Sequence, residues 1–382
     1  MACGQYWDSP FQVGGKSLAK AFAELGFAVF YLSAPISPLH FLTPRRSGVV
    51  ARWRDHRRGP HKVFSATGSI VAWTPFALLT PAKRLFLETE FCGRTWLSTT
   101  IPRLPQKLAH AGFGSPDLLY IDCPLFAELP DRIRAKKTIL RIADDSFPHL
   151  PRCYDALERT SAKKADITFY TAMELKPRAE SLGGKRVELL PNGVDLQHFS
   201  AETLAYPLPL PGATYNRILY VGAIEYWFNW GLLIEVARQM PDLEFIVAGP
   251  VRAKPSAQLP GNITAIGAVP YKNVPALMRA AAVGIIPFDV VRYPDLVNRV
   301  NPLKMYEYLA SGLPVVSTKW RELERLDAPI RLATDISQFC QELRAAVAEV
   351  ADNRSAEKRA MFVRQCDWKA RATQVLEKVA GL

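Results

Sequence analysis

The chain has 382 residues, a length typical of about two domains, and 49% of them are hydrophobic, so it can bury sizeable cores. Six cysteines are scattered along it at positions 3, 92, 123, 153, 340 and 366 without a CxxC pair. This spacing argues against a zinc site or a disulfide framework and predicts a reducing, cytoplasmic location. The first ten residues lack the apolar core of a secretory signal, so no signal peptide is expected.

The net charge of +12 is concentrated in one segment. Residues 45–62 contain seven Arg or Lys against the single acid Asp55, which gives seven minus one, or +6. Such a segment suits an anionic membrane surface or a nucleic acid. No zinc-finger or RNP signature accompanies it, so a nucleic-acid partner is not expected. The remaining alternative is a solvated, mobile basic loop.

An uncharged segment of twenty residues, 63–82, follows directly. Its length would allow a membrane span, but Gly68, Pro75 and Pro81 make a spanning helix implausible. We predict one strand followed by an apolar loop. This loop either packs in the core or, together with the basic segment, lies on a bilayer surface.

The chain begins with an α/β unit. Residues 1–6 are predicted to hold only a short first strand, residues 16–25 a helix and residues 27–33 a buried strand. Gly14 and Gly15 lie in the loop between the first strand and the helix. The alternation becomes clear again after residue 117. Strands are predicted at 117–122, 138–142, 166–170 and 187–191, with helices at 124–134 and from 171.

A proline-rich segment, 206–212, is the predicted domain boundary because it is stiff and cannot form a helix. We therefore predict an N-terminal domain over 1–204, a linker over 205–216, a second domain over 217–360 and a terminal helix over 361–382. The second domain repeats the strand and helix alternation. Its predicted strands are 217–221, 243–248, 263–267 and 283–287, and its predicted helices are 230–239 and 274–281.

The most informative stretch is 301–317. Asn301 is a predicted N-cap with Pro302 in the first helical position, Gly312 ends the helix, and a buried strand begins at Val315. Lys304 lies in the first turn, where a cation opposes the helix dipole by roughly 0.3–1 kcal/mol unless an anion binds there.

Glu307 lies three residues after Lys304, so both side chains share one face of the predicted helix. Either an anionic ligand binds at this pair, or the stretch is a helix, turn and strand with a solvated Lys–Glu pair.

The run Glu307-Tyr-Leu-Ala-Ser-Gly312-Leu-Pro314-Val-Val resembles the donor-binding signature of group 1, family-four-like glycosyltransferases. This resemblance implies the GT-B fold: an α/β protein of two doubly wound, Rossmann-like domains that face each other across a cleft. It also implies that Glu307 binds the ribose. Asn192-Gly-Val-Asp195 followed by Phe199 resembles the "NGVD…F" that ends the first domain of this family.

The resemblance further implies a set of site residues. The donor site would comprise Gly222, Ile224, Asn301, Leu303, Lys304 and Glu307, and the acceptor-side loop would comprise Gly14 and Gly15. Two departures rearrange the usual phosphate and sugar contacts. Arg299 stands where many members have a second glutamate, and residues 226–229 replace the usual Lys-Gly.

Arg141-Ile-Ala-Asp144 resembles a strand end of the bacterial glucuronosyltransferase of xanthan assembly, whose aspartate there is the proposed base. The loop follows the carboxyl end of a strand, where open α/β sheets place their chemistry. Asp144 is therefore a candidate general base, and the alternative is a helix cap. No DxD metal motif is present, so no metal and no cofactor beyond the nucleotide-sugar is expected.

We therefore expect a hexosyl-transferring enzyme that uses a UDP- or GDP-sugar. Its acceptor would be a glycan or a lipid-linked molecule of cell-surface polysaccharide or glycolipid synthesis. We expect the protein in the cytoplasm, with peripheral binding to the inner face of the cell membrane as the alternative. Two other classes stay open: a non-hydrolysing nucleotide-sugar epimerase of the same fold, and a non-catalytic basic adaptor bound to membrane or nucleic acid.

Overall fold

The structure is a computed structural model that describes residues 1–9, 13–42, 46–143, 150–200 and 216–381. The chain forms two compact units, Met1–Pro191 with Arg371–Leu382, and Asn192–Ala370. Apart from Asn216, the linker expected at 205–216 lies outside the described residues. The division between the units comes earlier in the chain, because Val194 and Phe199 are buried in the core of the second unit.

The first unit is built on an eight-stranded sheet in the order β10-β9-β8-β7-β1-β2-β4-β3, which is parallel except for the edge strand β3. A separate two-stranded ribbon pairs β5 with β6. The strands are β1 (Ala2–Cys3), β2 (Ala28–Ser33), β3 (His61–Ser65), β4 (Ser69–Trp73), β5 (Phe76–Ala77), β6 (Thr100–Ile101), β7 (Leu118–Ile121), β8 (Lys137–Ile142), β9 (Ile167–Tyr170) and β10 (Val187–Leu189).

The helices of the first unit follow the strands, as an alternating α/β pattern predicts. They are α1 (Gly14–Glu24), α2 (Pro38–Phe41), α3 (Arg46–Arg58), α4 (Glu90–Thr95), α5 (Leu104–His110), α6 (Cys153–Lys164) and α7 (Lys176–Ser181). The chain runs outward from β1 to β2 on one side, and from β7 to β8 on the other. The order of strands therefore reverses between β1 and β7, which is where open α/β sheets leave a crevice at the carboxyl ends of their strands.

The second unit is built on a six-stranded, wholly parallel sheet in the order β13-β12-β11-β14-β15-β16. Its strands are β11 (Arg217–Val221), β12 (Glu244–Ala248), β13 (Ile263–Gly267), β14 (Val283–Ile286), β15 (Val315–Thr318) and β16 (Arg331–Ala333). Its helices are α8 (Leu196–Ser200), α9 (Trp230–Gln239), α10 (Val274–Arg279), α11 (Pro294–Val297), α12 (Leu303–Ala310), α13 (Arg321–Arg325), α14 (Ile336–Ala348), α15 (Asn353–Arg364) and the start of α16 (Trp368–Ala380). The strand order reverses between β11 and β14.

A buried tyrosine fixes α12 at this reversal point. The Tyr308 hydroxyl accepts a hydrogen bond from the Val221 N–H at 2.7 Å and donates to the Leu219 carbonyl at 3.2 Å. Its ring lies against Gly284, where an added Cβ would come within 2.5 Å of the Tyr308 ring. The glycine in β14 thus makes room for the tyrosine, and α12 is bonded directly to the backbone of β11.

Two predictions for the first unit were wrong. The helix expected over 124–134 is only a 3-10 turn, Pro124–Phe126, because Pro130 lacks the N–H that a longer helix would need. The apolar segment 63–82 holds most of β3 together with β4 and β5 rather than a single strand. Trp73 and Ile70 in β4 are fully buried, so this part of the segment is core.

The basic segment forms a helix rather than the loop considered from the sequence. Trp53 of α3 packs edge-on against Phe76 of β5, with 5.6 Å between ring centroids, and against Phe41 at the same distance. The Arg52 guanidinium donates to the carbonyls of Ala34 and Pro35. These contacts hold α3 in place, and they leave Arg54, Arg57 and Arg58 exposed.

Candidate functional site

The helix α12 begins at Leu303, with Pro302 as its N-cap residue. Asn301 was predicted to be the cap, and this is a correction. Its side-chain oxygen accepts from the Asn192 N–H at 3.1 Å, and its amide group donates to Glu322 at 3.0 Å. The Asn192 side chain in turn donates to the Asn301 carbonyl at 2.7 Å. Asn301 therefore fixes the peptide that precedes α12, and its side chain is bonded to Asn192 and Glu322 rather than to the first N–H groups of the helix.

Lys304 lies in the first turn of α12 in a partly buried, aromatic environment. Its ammonium nitrogen is 4.7 Å from the Phe288 ring centroid and 5.4 Å from that of Tyr220. Within the described part of the chain, the ammonium makes no hydrogen bond or ion pair. Burial lowers the pKa of Lys304 to about 8, against the opposing effect of the Glu307 carboxylate. An anion placed at this helix end would meet a cation and two main-chain N–H groups, those of Leu303 and Lys304.

Gly222 follows β11 and adopts a φ of +150°, a conformation that favours glycine. A Cβ at this position would lie 2.9 Å from Cε of Lys304 and 3.3 Å from the Tyr220 hydroxyl. The glycine therefore lets the Lys304 side chain extend over the end of the sheet.

Ile224 was predicted to belong to the donor site, and this is a correction. Its side chain is fully buried, its N–H donates to the Pro250 carbonyl, and its carbonyl accepts from the Arg252 and Ala253 N–H groups, so it supports the loop rather than a ligand.

Glu307 is partly buried one turn after Lys304. The Tyr271 hydroxyl donates to its carboxylate at 3.5 Å, the limit of a hydrogen bond. Burial raises the pKa of Glu307 to about 7, and Lys304 and Tyr271 act in the opposite direction. Tyr271 stacks on His198, with 4.5 Å between ring centroids and an interplanar angle of 10°.

Tyr271 and His198 were missed by sequence reasoning. They belong to the segments before α10 and within α8, and only the tertiary fold brings them beside Glu307.

An aromatic loop stands where the resemblance leads one to expect Lys-Gly. The Asn229 side chain caps α9 by accepting from the Leu232 N–H at 2.9 Å. Tyr226 packs edge-on against Tyr293, with centroids 5.1 Å apart. The Asp289 N–H donates to the Trp227 carbonyl at 2.7 Å, which ties the loop after β11 to the loop after β14. These contacts replace a basic segment with a partly buried aromatic one at the strand ends.

The two acceptor-side glycines occupy the first turn of α1, which begins at Gly14 rather than at residue 16 as predicted. A Cβ on Gly15 would lie 2.2 Å from a carboxylate oxygen of Asp122, so this position excludes any side chain. Asp122 follows β7. The candidate base, Asp144, lies outside the described residues, two positions after the end of β8 at Ile142.

In the described part of the chain, no group of three or more His, Cys, Asp or Glu side chains is arranged to hold a metal ion. No helix in the described ranges is both long enough and apolar enough to cross a membrane.

A family model and a curated protein are similar to this chain in sequence. Residues 231–377 match a family model described as "Glycosyl transferase-like". A Bacillus subtilis protein described as a teichuronic acid biosynthesis glycosyltransferase, TuaH, is 26% identical over 209 residues. That alignment covers 51% of this chain and 51% of the relative, so the chain spans about half the length of the curated relative it matches.

Solved structures match over nearly the whole chain. Sucrose-phosphate synthase from Thermosynechococcus elongatus has a TM-score of 0.65 at 16% identity, covering 96% of this chain and 92% of that protein. HepE of Anabaena, in complex with UDP and glucose, has a TM-score of 0.58 at 14% identity, covering 93% and 99%. A UDP-forming trehalose-phosphate synthase from Burkholderia vietnamiensis has a TM-score of 0.58 at 14% identity, covering 94% and 99%. The chain therefore has the GT-B fold, and all but the last seven residues of the glycosyl transferase-like segment, 231–370, belong to the second unit.

Proposed function

We propose that the protein is a glycosyltransferase that moves a hexosyl group from a nucleotide-sugar to a glycan or lipid-linked acceptor in cell-surface polysaccharide or glycolipid synthesis. The observation that carries the proposal is the Lys304 ammonium, which lies at the N-terminus of α12 without a hydrogen-bond partner among the described residues. The match over 231–377 and the description of the Bacillus subtilis relative support this reaction class.

The donor would bind the second unit through two side chains of one helix face. Lys304 and the first N–H groups of α12 would hold the diphosphate, and the Glu307 carboxylate would accept hydrogen bonds from the ribose hydroxyls. This arrangement neutralises the leaving diphosphate without a metal ion. Turnover is then expected to survive a chelator such as EDTA. UDP is the first nucleotide to test because HepE binds it, and GDP is the second.

The two alternative classes predict different behaviour. An epimerase of the same fold would consume nucleotide-sugar without an acceptor and would form no glycoside. A basic adaptor would leave Lys304 and Glu307 without a ligand. Asp144 would serve the transferase as general base, which the local resemblance to the xanthan glucuronosyltransferase supports.

A thermal-shift panel of UDP-, GDP- and dTDP-sugars tests the proposal directly. A true donor is expected to raise the Tm, because binding to the folded state adds about 2.7 kcal/mol of stability at a concentration of one hundred times its Kd. The free nucleoside and the sugar 1-phosphate serve as partial ligands. If no nucleotide-sugar raises the Tm, the proposed function is wrong.

Donor binding is also expected to depend on pH, with an optimum between about 7 and 8. The Lys304 ammonium is protonated below its pKa of about 8, and the Glu307 carboxylate is ionised above its pKa of about 7. Donor affinity should fall by up to tenfold per pH unit above about pH 8, where Lys304 loses its proton, and below about pH 7, where Glu307 gains one. Calorimetry across the range measures this. Glu307→Gln should remove the acid limb and move the alkaline limb to lower pH, because the Glu307 carboxylate raises the pKa of Lys304. An unchanged profile in this variant would contradict the assignment.

We also propose that the first unit binds an anionic membrane surface. Arg54, Arg57 and Arg58 are exposed along α3. Large apolar side chains are exposed around the same helix: Phe41, Leu42, Val50, Leu78 and Ile101. The pairing of Phe76 with Ile101, and the packing of Phe76 on Trp53, place the β5–β6 ribbon beside α3. Basic side chains around exposed apolar ones are typical of interfacial binding.

Liposome co-sedimentation tests this surface. Each basic residue near an anionic surface contributes about 1 kcal/mol, so replacing Arg54, Arg57 and Arg58 by Ala should weaken binding to phosphatidylglycerol vesicles by about 10²-fold. The matched control removes three exposed charges from the second unit, Arg238, Arg344 and Lys358, and should change little. Equal binding to neutral vesicles, or no binding to either kind, would count against the surface.

A further inference from the structure

A carboxylate that no role above has used lies at the reversal point of the first sheet. Asp122 directly follows β7, and β1 lies beside β7 in the sheet. The Gly4 N–H, just past the end of β1, donates to Asp122 at 3.3 Å. Asp122 therefore lies where the carboxyl ends of the two central strands meet, which is the position at which open α/β sheets bind ligands.

The surroundings of Asp122 largely remove its carboxylate from water. The carboxylate lies against the first turn of α1, where Gly15 leaves no room for a side chain. Burial raises the pKa of Asp122, and the nearby Arg141 acts in the opposite direction. The residue nevertheless remains partly exposed. A carboxylate that is largely desolvated gains most from ligands that bring hydrogen-bond donors.

An aromatic ring completes the corner. Trp7 is partly exposed and packs against the edge of Tyr31, with centroids 5.1 Å apart. Asp122 lies close enough to Tyr31 to raise its pKa electrostatically, after the larger effect of burial. The Lys16 ammonium lies 5.9 Å from the Trp7 ring centroid, one residue after the glycine that contacts Asp122. Trp7 is therefore near the side chain of Lys16, and Asp122 lies against Gly15, which are neighbouring residues in the first turn of α1.

We propose that Asp122 and Trp7 form a carbohydrate-binding subsite in the first unit. The Asp122 carboxylate accepts hydrogen bonds from hydroxyl groups of a sugar, and the Trp7 indole packs against the apolar C–H face of the ring. A phosphate is disfavoured next to the carboxylate, and an acyl chain offers it no donor. The inference rests on the proposed function and deepens it, since this subsite would hold the sugar of the acceptor.

Saturation-transfer NMR on the full chain tests the subsite with defined probes, the methyl glycosides of glucose, galactose, N-acetylglucosamine and glucuronate. At least one glycoside is expected to bind. Asp122→Asn should raise its Kd about tenfold or more, the loss expected for a hydrogen bond to a charged group. Trp7→Ala should weaken binding similarly, and Trp7→Phe should retain most of it. Asp117→Asn is the matched control, because Asp117 precedes the amino end of β7 and pairs with Lys136 on the surface.

The outcomes separate this subsite from the donor site. The rise in Tm with a nucleotide-sugar should be unchanged in every one of these variants, because Lys304 and Glu307 belong to the other unit. Wild-type protein that binds none of the glycosides, or Asp122→Asn that binds them normally, would overturn the subsite alone. If Asp122→Asn lowers the Tm of the free protein, its glycoside binding is not a clean test. The subsite is then tested by whether Trp7→Ala binds the glycosides more weakly than Trp7→Phe, and equal binding by the two variants would overturn it.

Discussion

Replacing Asp144 with asparagine is expected to lower glycosyl transfer by roughly 10²–10⁴-fold while nucleotide-sugar binding survives, the usual size of a general-base effect. Asparagine keeps the size of the side chain but cannot take a proton. In the proposed reaction the base takes the proton of the acceptor hydroxyl, and the hydroxyl oxygen bonds to the anomeric carbon. The bond from that carbon to the diphosphate breaks, and the nucleoside diphosphate leaves with the electron pair.

The position of Asp144 in the chain motivates this prediction. It comes two residues after β8, which pairs with β7 in the central part of the sheet. Asp145→Asn is the internal control and should lose much less activity. NMR coupling constants of the product report the anomeric configuration, and inversion fits a base. Near-normal turnover in Asp144→Asn would leave this residue as a helix cap.

Removing the Lys304 or the Glu307 side chain from α12, the proposed donor helix, is expected to have the second-largest effect on function. Lys304→Ala or Glu307→Ala should weaken nucleotide-sugar binding by on the order of 1–3 kcal/mol, or roughly 5–150-fold, because each loses a charge-assisted hydrogen bond. Lys304 offers a largely desolvated cation between Phe288 and Tyr220, where an anion is screened poorly by water. Titration calorimetry with the best ligand of the thermal-shift panel measures the change.

Two further variants make this comparison specific. Lys319→Ala removes a lysine from the same unit that forms a surface ion pair with Glu324, and should leave donor affinity unchanged. Lys304→Met keeps the apolar stem that packs over Gly222 and removes only the charge, so it should weaken binding about as much as Lys304→Ala. Wild-type affinity in both Lys304→Met and Glu307→Ala would end the assignment of α12 as the donor helix.

The second unit shows how much of a fold is encoded locally. The predicted bounds of β11, α9 and β13 agree with the structure residue for residue. The strand β11 is buried and forms a continuous apolar run after Arg217, and Asn229 is a strong N-cap for α9. The bounds of these two elements are therefore marked by residues within or next to them. Gly312 adopts a φ of +82° after α12, as its predicted place beyond the helix requires.

Two of the errors arose where distant residues decide the local structure. Asn301 would cap α12 in isolation, but it is bonded to Asn192, which lies 109 positions earlier in the chain. The basic segment is helical because Trp53 packs on Phe76, a partner in a later strand. Short-range propensity contains no information about either contact.

The same limit applies to the candidate sites. Lys304 and Glu307 were found because both lie on one helix with a family-like sequence. Tyr271, which contacts Glu307, lies in an unremarkable segment, and only the fold reveals it. Asp122 was treated as the last residue of a strand, and its proximity to Gly15 requires the pairing of β1 with β7.

The bond between Tyr308 and the backbone of β11 has a consequence for how this protein can diversify. The helix bearing Lys304 and Glu307 is attached through Tyr308 to main-chain atoms of β11, and this attachment does not involve the side chains of residues 226–229 or 289–293. If α12 holds the nucleotide as proposed, these two segments are free to vary while nucleotide affinity is kept. We therefore expect substitutions at residues 226–229 and 289–293 to change donor-sugar preference before they change nucleotide binding.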